Sequence, residues 1–569
     1  MESEPHRHEA TLRVLLCFVL VASAAIAIVH ACMGRALETH EIFVAQSTRE
    51  MFEFHEPIVP TFGETPRLKK PPLMYWAVGG VAILSQRPDV PEWVARLPSA
   101  LAAVWLVCIA WLMGSLIYGR VVGLLAAAAT GLSLGVFEYA AIARPEMLYA
   151  ATTATSAYAF LRAWNLTALS DSDQASSLDL SRLRRHRTQW SLVAWAFIGL
   201  AVLTKGPQIP ILVVLGFSVY AVRHSGWKAW RDTFKPFLGM ALALVLVAPW
   251  FFAVMLRLPG AQQIWIDELI GQRFGEKDGS NAGFLEWLLA VATPDYLIHA
   301  ITFLLPWGLL APIALAVPWL RHRPGNERGR MLFMGLIVVL IGLSLVRHSR
   351  DYYILPVVPM LAVLIARAAC GLFDQARASS PVRWFGLALV SLITLSGMGL
   401  SCYAIAQGHA EAKDMLALCV SLSAVAVVAF AIMPRSSDTR RIAPIAAPIA
   451  SWVCGLSCLA VNANERDARR ERLDQVARAA AHLAGTDTHV IAIEFDPSNL
   501  MYRLDDPPIV FQSGAAPEEI VQALPVVLVA PPEWADRVDA IDGVHVVRSD
   551  PIDIKSGRWI EVVRVTRDE

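Results

Sequence analysis

Just after its first long apolar stretch the chain carries Glu38-Thr39-His40-Glu41, and further along the same loop Arg67-Leu68-Lys69-Lys70-Pro71-Pro72. Acids and cations crowded beside a membrane segment suit the handling of a charged headgroup at the lipid surface, because bare charges are costly deeper in hydrocarbon. A carboxylate there can act as general base, taking the proton of a hydroxyl that attacks a lipid-borne electrophile. Thr39 with Glu41 fits equally well a helix N-cap and a first-turn acid that complements the helix dipole. Pro71 and Pro72 stiffen the backbone behind three cations, so Arg67, Lys69 and Lys70 can hold a phosphate; the alternative is snorkelling lysines beside the interfacial pair Tyr75-Trp76.

Four more groups carry chemistry-bearing residues. Arg144-Pro145-Glu146 arrives after two further apolar stretches, with Glu138 a little earlier. Glu146 is either a first-turn acid behind Pro145 or the second acid of a site, and two acids brought together require a cation to offset their repulsion. Lys205-Gly206-Pro207 interrupts a long apolar run, where the lysine caps a break between helices or lends charge to a cavity. The turn Arg347-His348-Ser349-Arg350-Asp351-Tyr352-Tyr353 offers arginines to a phosphate, or is a solvated loop with tyrosines at the interface. Glu268 and Arg273 lie in a large polar loop.

The elements that must position these groups are mostly helices in a membrane. Of 569 residues 56% are hydrophobic and 17% charged, against roughly 25% charged in soluble domains. Lys plus Arg equals Asp plus Glu at 49 each, which gives no basic face for nucleic acid. All eight cysteines lie in or beside apolar segments, so neither a disulfide framework nor a thiolate metal site is indicated. No HExxH, phosphate-binding loop, GxSxG or Cys/His zinc spacing is present in a fitting context.

Apolar stretches of spanning length number about thirteen. They fall near 13–32, 98–118, 121–139, 147–164, 190–204, 207–222, 236–257, 296–318, 331–347, 353–373, 384–406, 414–433 and 442–461. The first is read as a span and not a cleaved signal peptide, since it is long and lacks a small-x-small cleavage site. Leu73 to Leu84 is apolar but short, as expected of an interfacial helix. Basic clusters at Arg182–Arg187, Arg223–Lys235, Arg321–Arg330 and Arg435–Arg441 all fall on one side of that arrangement, the cytoplasmic side by the positive-inside rule. The opposite, extracytoplasmic face receives the first loop (33–97), the turns at 143–146, 205–206 and 347–352, the large loop (258–294), and everything from 462 onward.

From Glu465 the chain becomes polar, with a charged helical stretch and β-like runs at His489–Glu494, Pro508–Phe511, Pro525–Ala530, Val544–Arg548 and Trp559–Val565. This pattern predicts a small α/β domain over 462–569, read as a lid or docking domain, behind a membrane domain over 1–461.

The first loop, Glu38–Met51 and Pro60–Trp76, resembles that of the polytopic GT-C glycosyltransferases, in the branch of the lipid A aminoarabinose transferase and the protein O-mannosyltransferases. Further matches are Ala143–Met147, Leu203–Pro207, Glu268 with Gln272–Phe274, Leu305–Trp307 and Tyr353–Pro356. The resemblance implies a multi-span α-helical membrane protein of GT-C type that moves a sugar, with inversion, from a polyprenyl-phosphate carrier to a lipid, glycan or protein acceptor outside the bacterial inner membrane. It implies Glu41 and Glu146 as catalytic acids, with Glu38, His40 and Glu268 supporting. Arg67, Lys70, Lys205, Arg273 and Arg347 would face the phosphate, with Tyr352 or Tyr353 near the donor. Two departures stand out: His40-Glu41 replaces an Asp-Glu pair common in relatives, and Lys69 replaces the Glu that precedes Lys-Pro-Pro in the aminoarabinose branch, removing a candidate metal ligand. No cofactor is expected, and a divalent cation has no support in the sequence. The competing class is a polytopic transporter or flippase of a lipid-linked or small anionic substrate. Such proteins place charges near the bilayer midplane and often carry repeated halves, whereas here the charges gather at span ends.

Overall fold

The computed structural model describes residues 4–32, 36–170, 177–266, 295–320, 327–345 and 350–376, and in the last quarter Leu456, 464–484, 488–495, Leu500, 502–504, 509–510, Ile520, 524–555 and 558–567. The chain divides into two compact units.

The first unit comprises Met1–Ala31, Leu68–Met74 and Arg96–Val461. It is helical: Glu4–Cys32, Glu92–Tyr118, Arg120–Gly131, Leu134–Ala140, Pro145–Ser170, Ser177–Thr204, Gln208–Phe234, Pro236–Arg257, Asp295–Phe303, Ala311–Leu320, Glu327–Ser344 and Val358–Ala376 are its main helices, apart from Cys32 and the first turn of the second helix, which belong to the other unit. Among the described residues four helices are long and apolar enough to cross a membrane, five if a bent pair is counted as one. The protein is therefore an integral membrane protein. The expected spans 384–406 and 414–433, and 442–461 apart from Leu456, lie outside the described residues.

Three stretches read as uninterrupted spans or loops are built otherwise. The 121–139 stretch is two helices bent by 57°, where Ser133 adopts an extended backbone and the Leu134 N–H donates to Leu305 O at 3.1 Å. The 296–318 stretch ends its first helix at Phe303 and restarts after Pro306 as a 3₁₀ turn, Trp307–Leu310; proline has no N–H to continue a helical ladder. The basic residues Arg223 to Arg231 do not form a loop but continue the Gln208 helix beyond a kink at Gly226, whose φ of 81° suits a residue without Cβ.

Small residues bring these helices close. A Cβ on Gly216 would stand 2.6 Å from Met334 O and 2.7 Å from Gly335 Cα, so the Gln208–Phe234 and Glu327–Ser344 helices meet backbone to backbone there. Lipid supplies no hydrophobic drive between helices, so such close packing is what associates them.

The second unit comprises Cys32–Arg67, Tyr75–Ala95 and Asn462–Glu569. The first loop folds here into the helix Thr39–Glu53, a short hairpin pairing Thr61–Phe62 with Thr65–Pro66, and most of the helix Leu73–Ser85. The C-terminal residues supply the helix Asn464–Ala484 and a sheet in which His489–Ala492 pairs in parallel with Ile509–Val510 on one side and Val526–Ala530 on the other. Arg558–Arg567 then pairs antiparallel with Val526–Ala530, Val544–Arg548 and Ile552–Lys555. Val526–Ala530 is buried at every position, as expected of a central strand covered on both faces. Ala36 of the first loop belongs to the same apolar core as Leu473, Val476, Val490 and Val527.

Replacing Gly216 with Val forces the two helices apart and is expected to cost about 1–3 kcal/mol. Thermal unfolding in detergent should show a lowered midpoint, and an unchanged midpoint would remove the close-contact argument.

Candidate functional site

The membrane unit gathers charged groups at a break between two helices. The Ser177–Thr204 helix ends because Gly206 takes a φ of +128°, a region costly for any residue with a Cβ, and Pro207 then caps the next helix. Lys205 stands at the helix exit, its N–H donating to Ala201 O at 3.0 Å and the Gly206 N–H reaching the same oxygen at 3.4 Å. The helix Pro145–Ser170 secures this break at two points. Glu146 in its first turn accepts from Lys205 Nζ at 3.0 Å through Oε1. Tyr149 lies one turn further on, and its hydroxyl accepts from the Ile209 N–H at 3.1 Å, satisfying one of the amides that a helix start leaves unpaired.

Glu146 is also bridged by Arg144 at 3.3 Å. The side chains of Glu146 and Lys205 are 4% and 8% exposed, so the pair has left water and each charge depends on the other. The second oxygen of Glu146, Oε2, is buried and has no hydrogen-bond partner among the described residues. Tyr352 and Tyr353 complete the enclosure. They sit on the 3₁₀ turn Asp351–Val357, where Asp351 accepts from the Tyr352 N–H at 2.8 Å and from the Tyr139 hydroxyl at 3.3 Å. Lys205 Nζ lies 4.2 Å from the Tyr352 ring centre and 4.8 Å from that of Tyr353, and Arg144 Cζ lies 4.9 Å from Tyr352. Aromatic faces attract cations most when water is excluded.

Burial opposes ionisation of Glu146, but Lys205 and Arg144 outweigh it and hold the carboxyl below its ordinary range. Burial also pulls Lys205 down from 10.5 to about 8 despite Glu146, with the ammonium of Lys70 and the guanidinium of Arg144 adding to the fall. Three cations, Lys70, Arg144 and Lys205, thus gather around the carboxylate of Glu146, with the carboxylate of Asp351 close by on the Tyr352 turn. A depressed carboxyl already occupied by two cations is a poor proton acceptor and a good holder of cations.

Lys70, Glu146, Lys205, Tyr352 and Tyr353, all singled out from sequence, are brought together. Arg144, Asp351 and Tyr139 join them; Arg144 was signalled by its place beside Pro145-Glu146, whereas nothing in the sequence marks Tyr139, which arrives from the separate Leu134–Ala140 helix. Glu268, Arg273 and Arg347 lie outside the described residues.

The remaining predicted residues belong to the second unit. Glu41 is wholly buried, at the third position of the Thr39–Glu53 helix. The N-cap is Glu38 and not Thr39: Glu38 N–H donates to Glu41 Oε2 at 3.0 Å, and the Glu38 side chain reciprocates to the Glu41 backbone, a capping box built from two glutamates. The His40 ring meets Phe43 edge-on at 5.9 Å. Arg67 stacks its guanidinium 3.7 Å over the Phe43 ring. One residue escaped sequence reasoning: Glu50 is buried, accepting from Gln46 Nε2 at 3.1 Å, from the Gly63 N–H at 2.8 Å and from the Thr61 hydroxyl, and so ties the hairpin ahead of Arg67 to the helix.

Comparison with known proteins follows the same lines. In fold the chain matches the crystal structure of ArnT from Cupriavidus metallidurans bound to undecaprenyl phosphate, with a TM-score of 0.68 and 19% identity over 96% of this chain and 97% of that one. It also matches the archaeal oligosaccharyltransferase AglB from Archaeoglobus fulgidus in complex with an inhibitory peptide and a dolichol-phosphate, with a TM-score of 0.53 and 12% identity over 92% and 71%. The fold is thus shared with these two membrane proteins. In sequence, the model of the family described as dolichyl-phosphate-mannose-protein mannosyltransferase matches residues 69–171 and 177–252. The undecaprenyl phosphate-alpha-4-amino-4-deoxy-L-arabinose arabinosyl transferase of an Enterobacter species is 29% identical over 224 residues, 38% of each chain; the matched stretch is thus well under half the length of that relative. Sequence and fold together bear out the resemblance carried by the first-loop motifs.

Replacing Glu146 with Ala removes the carboxylate that Lys205 and Arg144 share and leaves the enclosed ammonium of Lys205 uncompensated, at an expected cost of about 3–5 kcal/mol at pH 7. Lys205 holds its proton less tightly folded, at about 8, than unfolded, at 10.5, so stability rises with pH between those values. Without Glu146 the folded value drops further. The deficit of the variant should therefore shrink as pH climbs toward about 8, where the unsubstituted protein also loses the Lys205 proton, and hold steady from there to 10. Unfolding midpoints of both proteins on either side of about pH 8 test this, and a deficit independent of pH would contradict it.

Proposed function

We propose that this chain is an inverting glycosyltransferase that takes a sugar from a polyprenyl-phosphate carrier and transfers it to a lipid, glycan or protein acceptor on the extracytoplasmic face of a bacterial inner membrane. The observation that carries the reading is the cluster of Lys70, Arg144 and Lys205 around the buried Glu146, in a chain with the fold of ArnT. A similar protein binding undecaprenyl phosphate, and relatives named for transfer from such a carrier, support the donor class.

In the proposed reaction an acceptor hydroxyl attacks the anomeric carbon from the face opposite the phosphate. The bond between that carbon and the phosphate oxygen breaks, the polyprenyl phosphate leaves with the electron pair, and the hydroxyl proton passes to a carboxylate. By resemblance that base is Glu41, whose carboxyl is oriented by the Glu38 amide. Its two cation partners favour a different part for Glu146 from that of the second catalytic acid implied by resemblance: in this proposal it keeps Lys205 and Arg144 charged and in place where negative charge grows on the leaving phosphate, and such pre-set charges lower the barrier. Arg67, Arg273 and Arg347 are proposed as further phosphate ligands, with Tyr352 and Tyr353 beside the donor and His40 and Glu268 in support. The sugar arrives activated on its carrier, so the chemistry requires no nucleotide. About thirteen spans, an α/β domain formed by 462–569 and an extracytoplasmic C-terminus complete the proposal.

Purified protein and a labelled polyprenyl-phosphate sugar provide the test. Glu41→Gln should abolish transfer while leaving donor binding intact, and undiminished turnover in that variant would reject the assigned base. Donor affinity should fall as pH rises through about 8, where Lys205 loses its proton. Lys205→Arg, which stays charged, should flatten that fall, and an unaltered profile would take Lys205 out of the phosphate site.

A further inference from the structure

The second unit joins residues from opposite ends of the chain at one side chain. Arg49, on the same helix as Glu41, donates through Nη1 to Tyr502 O at 2.9 Å and through Nε and Nη2 to Asp89 O at 3.1 and 2.8 Å. Its guanidinium also lies 4.7 Å from the centre of the Tyr502 ring. The Tyr502 hydroxyl, buried, donates to Val90 O at 2.9 Å. Tyr502 is thus held between the Thr39–Glu53 helix and the turn that precedes the Glu92–Tyr118 helix.

That turn has ties of its own, Val90 N–H to Arg87 O at 3.1 Å and an exposed Arg87–Asp89 ion pair at 2.7 Å, but its backbone is strained. Gln86 and Val90 both adopt left-handed backbone, with φ of 56° and 45°, and a β-branched residue in that region is strained. Such conformations persist where surrounding contacts over-determine them, and the carbonyls of Asp89 and Val90 are the ones taken by Arg49 and Tyr502. On its other side Tyr502 is anchored to the C-terminal core. Arg503 bridges Asp474 at 2.8 Å, the amides of Arg503 and Leu504 both donate to Leu500 O, and Leu500 packs in the core shared by Leu473, Val476 and Ala36.

We propose that Tyr502 and Arg49 are positioning residues: the C-terminal segment acts as a brace that fixes the helix bearing Glu41, so that its carboxyl is presented in one orientation. The proposal rests on the reading of Glu41 as base given above. A planar guanidinium gripping two carbonyls and an aromatic ring admits few orientations, and catalysis is sensitive to placement at the level of about 1 Å.

Hydrogen exchange read by mass spectrometry on the full chain in nanodiscs tests the brace without reference to activity. Tyr502→Ala and Arg49→Ala should each speed exchange in residues 39–53 and 86–91 at least about fivefold, with the Pro145–Ser170 helix unaffected. If Tyr502→Ala fails to fold, Tyr502→Phe removes only the hydroxyl and should speed exchange at 86–91 alone. In turnover assays kcat should drop about tenfold to a hundredfold with KM for the donor unchanged, and Arg49→Lys should not restore it, since an ammonium cannot grip both carbonyls and the ring. Unaltered exchange in these variants overturns the brace, and faster exchange with undiminished kcat overturns the positioning role. Absence of transfer by the unsubstituted chain would instead sink the glycosyltransferase reading, with the exchange result still deciding the brace.

Discussion

The membrane unit depends on charge compensation where helices break. A lysine withdrawn from water is tolerated only beside something negative, and Lys205 meets that requirement with Glu146 at 3.0 Å. Much of the local architecture follows from this pairing. Pro145 opens a helix so that Glu146 falls in its first turn, Gly206 ends another so that Lys205 stands at its exit, and two tyrosines close over the ammonium. Glu146 serves two cations with one oxygen while its other oxygen stays unpartnered among the described residues.

The first-loop unit follows a different rule. Three carboxylates of its first loop are spent on local structure: Glu41 and Glu38 cap one helix between them, and Glu50 gathers a hairpin amide and hydroxyl. Carboxylates that accept backbone N–H bonds keep their orientation without needing a counter-charge. Capping and catalysis are compatible uses of Glu41, because the bond that ends the helix also aims the carboxyl.

Parts of this were legible in the chain. A lone lysine flanked by Gly and Pro inside an apolar run announces a helix break with a charge at it, and Lys205 stands at one. An acid directly after a proline announces a first turn, and Glu146 occupies one. The β-branched runs at 489–494 and 525–530 became neighbouring parallel strands. What stayed hidden depended on partners distant in sequence. Nothing local to Arg67 says that it stacks on Phe43, and nothing local to Arg49 says that its partner is 453 residues away. The apolar stretch near 296–318 looked continuous because periodicity is blind to a single proline that restarts the chain as a 3₁₀ turn.

Tyr149 and Glu146 stand on adjacent turns of one rod and hold consecutive sides of the same chain break. Any tilt of that rod must carry the ammonium and the start of the following helix along together. The two halves around Gly206 are therefore geared: they can swing in concert, but neither can slide past the other without first releasing both grips.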